Sequence, residues 1–130
     1  MLRWWVMGLL LSVALVGTAA NAQPQRIVSL NSCTDQVLLT LAPRERIVAL
    51  TFQATQPQAS TLWQQAQGIP QIRGSAEEVL ALQPDLVLAG AFTTRHTIKL
   101  LRQFGVPVVT LSPAQDFAAV RDQIQQVAHL

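Results

Sequence analysis

The sequence predicts an α/β fold in which a parallel sheet is flanked by helices. The first observation is a set of four short apolar runs: Arg26–Leu30, Arg46–Leu50, Asp85–Gly90 and Pro107–Leu111. The first two, Arg-Ile-Val-Ser-Leu and Arg-Ile-Val-Ala-Leu, are nearly identical and lie twenty residues apart. Continuous Val, Ile and Leu over so few residues suit strands covered on both faces, as in a parallel sheet. The second observation is that helix-like segments fill the gaps, giving a βαβαβαβα order. In open sheets of this kind ligands collect at the carboxyl ends of the strands, so the loops after the four runs are where function is expected.

The first 22 residues read as a segment removed before folding. Arg3 supplies a positive start, Trp4–Val16 is apolar or small throughout, and Ala20-Asn21-Ala22 has the small-x-small cleavage pattern. Thirteen apolar residues are too few to span a bilayer. No Cys stands near the cleavage point to take a lipid, so the mature chain is expected to be exported to the periplasm and soluble. Cleavage after Ala22 leaves 108 residues with eight basic side chains against seven acidic ones. The basic residues are scattered and form no stripe of the kind nucleic-acid phosphates need, so no nucleic-acid partner is expected. Cys33 is the single thiol, so no internal disulfide can form and stability must come from apolar burial. A chain of this size buries roughly 60–65% of its unfolded surface, enough for one domain.

Element by element, Ser32-Cys33-Thr34-Asp35 after the first run reads as a capping box opening a helix with Val37, Leu38 and Leu41, which stops before Pro43. After the second run, Gln53–Ser60 is the longest candidate loop. Thr61–Gln67 is expected as a short helix with Leu62 and Trp63 inward, ended by Gly68. Ser75-Ala76-Glu77-Glu78 gives a second capping box for a helix running to Pro84. Thr94 caps a helix in which Ile98, Leu101 and Phe104 recur with helical spacing, and Gly105 ends it. Asp116 caps a final helix with Phe117, Val120, Ile124 and Val127 on one face. That helix is still periodic at Leu130, with no stop signal.

If the strands are parallel, Asn31–Asp35, Thr51–Gln53, Gly90–Arg95 and Ser112–Pro113 converge on one edge. They offer hydroxyls, an amide, Arg95 and two rings at equivalent strand ends, Phe52 and Phe92. Such a lining fits a bulky, partly apolar ligand with a few polar anchors, although the two rings could equally cap the core below. Cys33 in the first turn of a helix could be an activated nucleophile, and His96 is the His able to approach the same edge. No glycine-rich phosphate loop follows the first strand, and no His, Cys or carboxylate spacing reads as a metal site. No catalytic centre is therefore expected, and the chain is read as a non-enzyme. Trp63 reads as core or wall. Glu77 and Glu78 in the first turn of a helix would interact favourably with its dipole.

Three blocks, Arg26–Asp35, Glu45–Leu50 and Ser75–Ala89, resemble the amino-terminal lobe of periplasmic binding proteins for vitamin B12, ferric siderophores and haem. The resemblance runs from Pro24 to Leu130, and its most specific part is the acidic helix start leading into Ala-Leu-Gln-Pro-Asp-Leu-Val-Leu. It implies two Rossmann-like lobes joined by a long helix, with ligand between them and a carboxylate on each lobe docking to an inner-membrane ABC importer permease. Glu77 matches the docking carboxylate of the first lobe. Asn31, Ser32, Thr51, Phe52, Phe92, Thr93 and Thr94 would face the ligand, a metal chelate such as cobalamin or a ferric siderophore, with no further cofactor and no metal ligand of the protein's own. The organisation implied is a signal peptide (1–22), an amino-terminal lobe (23–115) and the start of the connecting helix (116–130), the second lobe being absent. Three outcomes follow: a fragmentary or truncated solute-binding component, a truncated paralogue that no longer binds, or a secreted enzyme using Cys33. The lobe contains no Tyr that could ligate haem iron.

Overall fold

The computed structural model describes residues 22–130, so the expected signal segment lies outside the described residues apart from Ala22. Among the described residues five strands and four α-helices follow in the order β1 (Ile27–Ser29), α1 (Ser32–Leu41), β2 (Ile47–Thr51), β3 (Gln71–Ile72), α2 (Ala76–Ala81), β4 (Leu86–Gly90), α3 (Arg95–Gln103), β5 (Val108–Leu111) and α4 (Phe117–Ala128). Short 3₁₀ turns at Arg44–Arg46 and Phe52–Thr55 flank β2.

The strands form one sheet in the order β3-β2-β1-β4-β5, and every neighbouring pair is parallel. Successive side chains of a strand alternate between faces, so each apolar run feeds two cores. Ile27, Leu86 and Leu88 pack with Leu38 of α1 and Val127 of α4 on one face. Val28, Val87 and Ala89 pack with Val79 of α2 and Leu101 of α3 on the other. This is why the runs read as continuously hydrophobic. The strand order reverses between β1 and β4, where open α/β sheets carry their ligand crevice.

The α/β parallel architecture is as expected, with three local differences. The fifth strand, β3, has two residues and no apolar run to announce it; it is placed by pairing with Leu50 and Thr51. Thr61–Gln67 is a series of turns rather than a helix, because Arg44 draws the Gln65 and Gln67 carbonyls out to its guanidinium. Ala66 and Ile69 are buried there, while Leu62 and Trp63 are half-buried. Helix α1 is capped by Asn31, not Ser32: the Asn31 Oδ1 accepts the Cys33 N–H at 2.8 Å.

The second capping box forms as read, with Ser75 and Glu78 each satisfying the other's backbone. Asp116 caps α4 by accepting the Ala119 N–H at 2.7 Å. Thr94 precedes α3 without a side-chain bond to its backbone, and Gly105, at φ +77°, ends that helix. Leu101 is buried, but Phe104 lies largely in solvent. On α4 only Val127 of the expected face is buried; Phe117, Val120 and Ile124 are exposed.

Candidate functional site

Parallel strands put all their carboxyl ends, and the N-termini of all four helices, on one rim. Asn31, Thr51, Gly90 and Leu111 stand at the ends of β1, β2, β4 and β5, so Phe52 and Phe92 share that rim. Phe52 is 46% and Phe92 86% exposed, which marks them as rings above the core rather than lids within it. The Arg73 guanidinium sits over the Phe52 ring, 5.9 Å from its centre, a cation–π pair that steadies the ring's outer face.

At the switch point the ends of β1 and β4 touch. A Cβ on Gly90 would lie 2.6 Å from Asn31 Cγ, so only glycine leaves room for the Asn31 cap. Thr93 stitches the same place: its Oγ1 accepts the Gly90 N–H at 3.1 Å and donates to the Leu30 carbonyl at 3.5 Å. Beside this seam a cavity of about 300 Å³ opens between Asn31, Cys33, Phe92, Leu111, Pro113 and Gln123. Small-molecule sites run from roughly 300 to 1,000 Å³, so this is a small, one-sided recess. Pro113 belongs to the Ser112–Pro113 loop expected on this edge, whereas Leu111 and Gln123 reach it only through the packing of β5 and α4.

The remaining expected residues divide by how their polar atoms are used. Ser32 is half-buried at the start of α1. Thr94 is exposed, with its hydroxyl donated to Thr97 Oγ1 at 2.7 Å. Thr51 is buried, and its hydroxyl and N–H both go to the Asp35 carboxylate, at 2.5 and 3.2 Å. Burial pushes the Asp35 carboxyl above its usual range, partly offset by the Thr51 and Ser29 hydroxyls and the Thr51 N–H.

Glu77 and Glu78, adjacent in sequence, have different employment. Glu78 Oε2 accepts the N–H groups of Arg73, Gly74 and Ser75 at 3.0–3.1 Å. Glu77 is exposed on the rim, and among the described residues no side-chain hydrogen bond ties it to another segment. Its own backbone N–H and the Ser75 side chain, with the nearby charge of His96, hold its carboxyl below the usual value. It is ionised at neutral pH.

Cys33 lies on α1 and His96 on α3, helices packed on opposite faces of the sheet, and no hydrogen bond joins the two residues among those described. Nor do three His, Cys, Asp or Glu side chains gather to hold a metal ion among the described residues. Trp63 is half-buried away from the rim, its carbonyl accepting the Gln67 amide at 3.1 Å.

The described residues thus form a doubly wound parallel sheet with a recess at its switch point and with Phe52, Phe92 and Glu77 exposed along one rim. The family model for periplasmic binding protein matches residues 27–130, and the chain belongs to that family. It is similar to an uncharacterised ABC transporter substrate-binding lipoprotein of Bacillus subtilis, 28% identical over 81% of this chain and 33% of that one. A vitamin B12-binding protein of Pectobacterium carotovorum is 34% identical over 82% of this chain and 37% of its own length. Among solved structures, a possible iron-binding periplasmic solute-binding protein of Staphylococcus epidermidis has the same fold, with TM-score 0.69 and 24% identity, covering 83% of this chain and 42% of that chain. The chain thus spans about a third of the length of the curated relatives it matches.

Proposed function

We propose that this chain is the first lobe of an exported solute-binding protein that delivers a metal chelate to an ABC importer in the inner membrane. The observation that carries the reading is the division of labour on one rim. Exposed Phe92 lines the switch-point recess, exposed Phe52 stands further along the same rim at the end of β2, and ionised Glu77 is on that edge too. Ligand would lie against Asn31, Ser32, Phe52, Phe92, Thr93 and Thr94, while Thr51, expected beside them, is buried with its hydroxyl and N–H on Asp35 and would support Phe52 from beneath. Flat aromatic faces and neutral hydrogen-bonding groups suit a large, partly apolar chelate whose metal is already saturated, such as cobalamin or a ferric siderophore. The likeness to a vitamin B12-binding protein makes cobalamin the first ligand to try.

In this reading Glu77 contacts a basic patch of the permease, residues 1–22 direct export to the periplasm, and the protein performs no covalent chemistry. With the separation of Cys33 from His96, the thiol-enzyme alternative has no assembled base. A recess open on one side buries only part of a ligand, so the affinity of the lobe alone is expected to be modest. Thermal shift and tryptophan fluorescence with cyanocobalamin, haemin and ferrichrome test the reading. Saturable binding of one chelate supports it, and no response to any of the three contradicts it.

A further inference from the structure

Two consecutive residues of α1 reach the two ends of one rim segment. Asp35, fully buried, takes the N–H and hydroxyl of Thr51 at the end of β2. Gln36 takes the other end, its Nε2 donating to the buried Ser60 hydroxyl at 2.7 Å and its Oε1 accepting from Thr61 at 3.0 Å. Between these anchors lies the rim segment that starts with Phe52 and passes through the 3₁₀ turn and Gln56-Pro57-Gln58-Ala59. Its interior is held by short-range turn bonds, by the Gln67 amide donating to the Thr55 carbonyl at 3.5 Å and by Ala54 in the core cluster with Leu38, so its hydrogen bonds to the helix are at the two ends.

We propose that Asp35 and Gln36 are positioning residues: a two-point clasp that sets segment 51–61, and with it the Phe52 platform, as a wall of the ligand groove. The assignment of Phe52 to that groove rests on the transport reading above; the clasp itself does not. A buried carboxylate whose hydrogen bonds come from neutral groups is a costly way to fasten a loop, since burial penalises its charge and no opposite charge offsets it. Groups kept under such cost concentrate where function fixes geometry. The carboxylate accepts both the N–H and the hydroxyl of one residue, which fixes Thr51 in angle as well as position. Phe52, the next residue, inherits that orientation and presents its outer face to Arg73.

Amide hydrogen exchange of the full chain and of its Asp35→Asn and Gln36→Ala variants tests the clasp without any ligand. Exchange should quicken by about tenfold or more across 51–61 while β1, β4 and α2 keep their protection and Tm changes little. A second measurement is the ring-current shift that Phe52 places on the Arg73 side chain, which Asp35→Asn should weaken. Should Asp35→Asn fail to fold, Gln36→Ala decides alone, because its side chain touches only Ser60 and Thr61 within that segment. Uniform loosening together with a fall in Tm would make the pair ordinary fold contacts and overturn the proposal, as would unchanged exchange. Cyanocobalamin, haemin or ferrichrome, whichever binds the parent chain, should bind the variants about tenfold more weakly; wild-type affinity despite a loosened segment would also overturn it. If none binds the parent, the transport reading fails while the exchange result still judges the clasp.

Discussion

Charged side chains fasten backbone at both edges of the sheet, but the carboxyl rim also presents two rings and Glu77 to solvent. At the amino edge, Asp85 accepts the Gln25 and Arg26 N–H groups at 2.7 and 2.8 Å, and Arg26 in turn donates to the Leu82 and Gln83 carbonyls at 2.6 and 3.1 Å. Arg44 likewise spends its guanidinium on the Gln65 and Gln67 carbonyls. These side chains close off backbone that the strands and helices leave unpaired. At the carboxyl rim, Glu77 is exposed, Phe52 and Phe92 stand in solvent, and a recess opens beside Asn31. The amino edge is largely fastened to itself around a recess of about 260 Å³ between Pro24, Leu41 and Val127, and the carboxyl rim turns rings and a carboxylate outward. The pair Glu78 and Glu77 repeats the contrast within a single helical turn.

The sharpest way to break that contrast is at the seam between β1 and β4. Gly90→Ala should destabilise the chain by about 2–3 kcal/mol, since the new methyl must displace the short, committed Asn31 side chain and cost the α1 cap as well. A urea melt would detect this, and a wild-type midpoint would show that the seam is slack. Asp85→Ala should cost about 1–2 kcal/mol by freeing two N–H groups at the fastened edge, while leaving chelate binding at the rim unchanged.

A smaller effect is expected from Asp35→Asn, and it depends on pH. Because burial raises the native carboxyl, the native state holds more protons than the unfolded one between the ordinary value of about 3.9 and the raised value. This contribution therefore favours folding below that window and is lost as pH rises through it. Wild type should gain on Asp35→Asn when melts are compared at pH 4 rather than 7.5; a difference constant with pH would contradict the account. The smallest change in stability is expected from Glu77→Gln, because the side chain is exposed. Its lowered carboxyl reverses the sign, with a contribution present at neutral pH and lost in acid. Uptake by cells relying on the assembled importer should nevertheless fall in that variant.

Much of the fold was legible because the long parallel runs and the helix caps are local signals. Ser75 with Glu78 and Asp116 before α4 do what their positions imply. The choice of Asn31 over Ser32 as the cap was not legible. Two cap-competent residues stand side by side, and space at distant Gly90 accommodates the first. Strand β3 carries too few residues to show a period. The burial of Asp35 was hidden for a related reason: a carboxylate early in a helix reads as a solvated, dipole-favoured charge until its partner Thr51 is brought in by the sheet. The rim itself was legible through strand-end position, whereas the recess walls at Leu111 and Gln123 required the packing of β5 and α4.

Backbone amide shifts of the full chain during titration with cyanocobalamin, and then with haemin and ferrichrome, compare the two edges in one experiment. The account predicts, for one of these chelates, saturable shifts gathered at residues 31–32, 51–55 and 90–94, with Arg26 and Asp85 unmoved. Shifts centred on the Arg26–Asp85 edge, or none with any of the three, would contradict it.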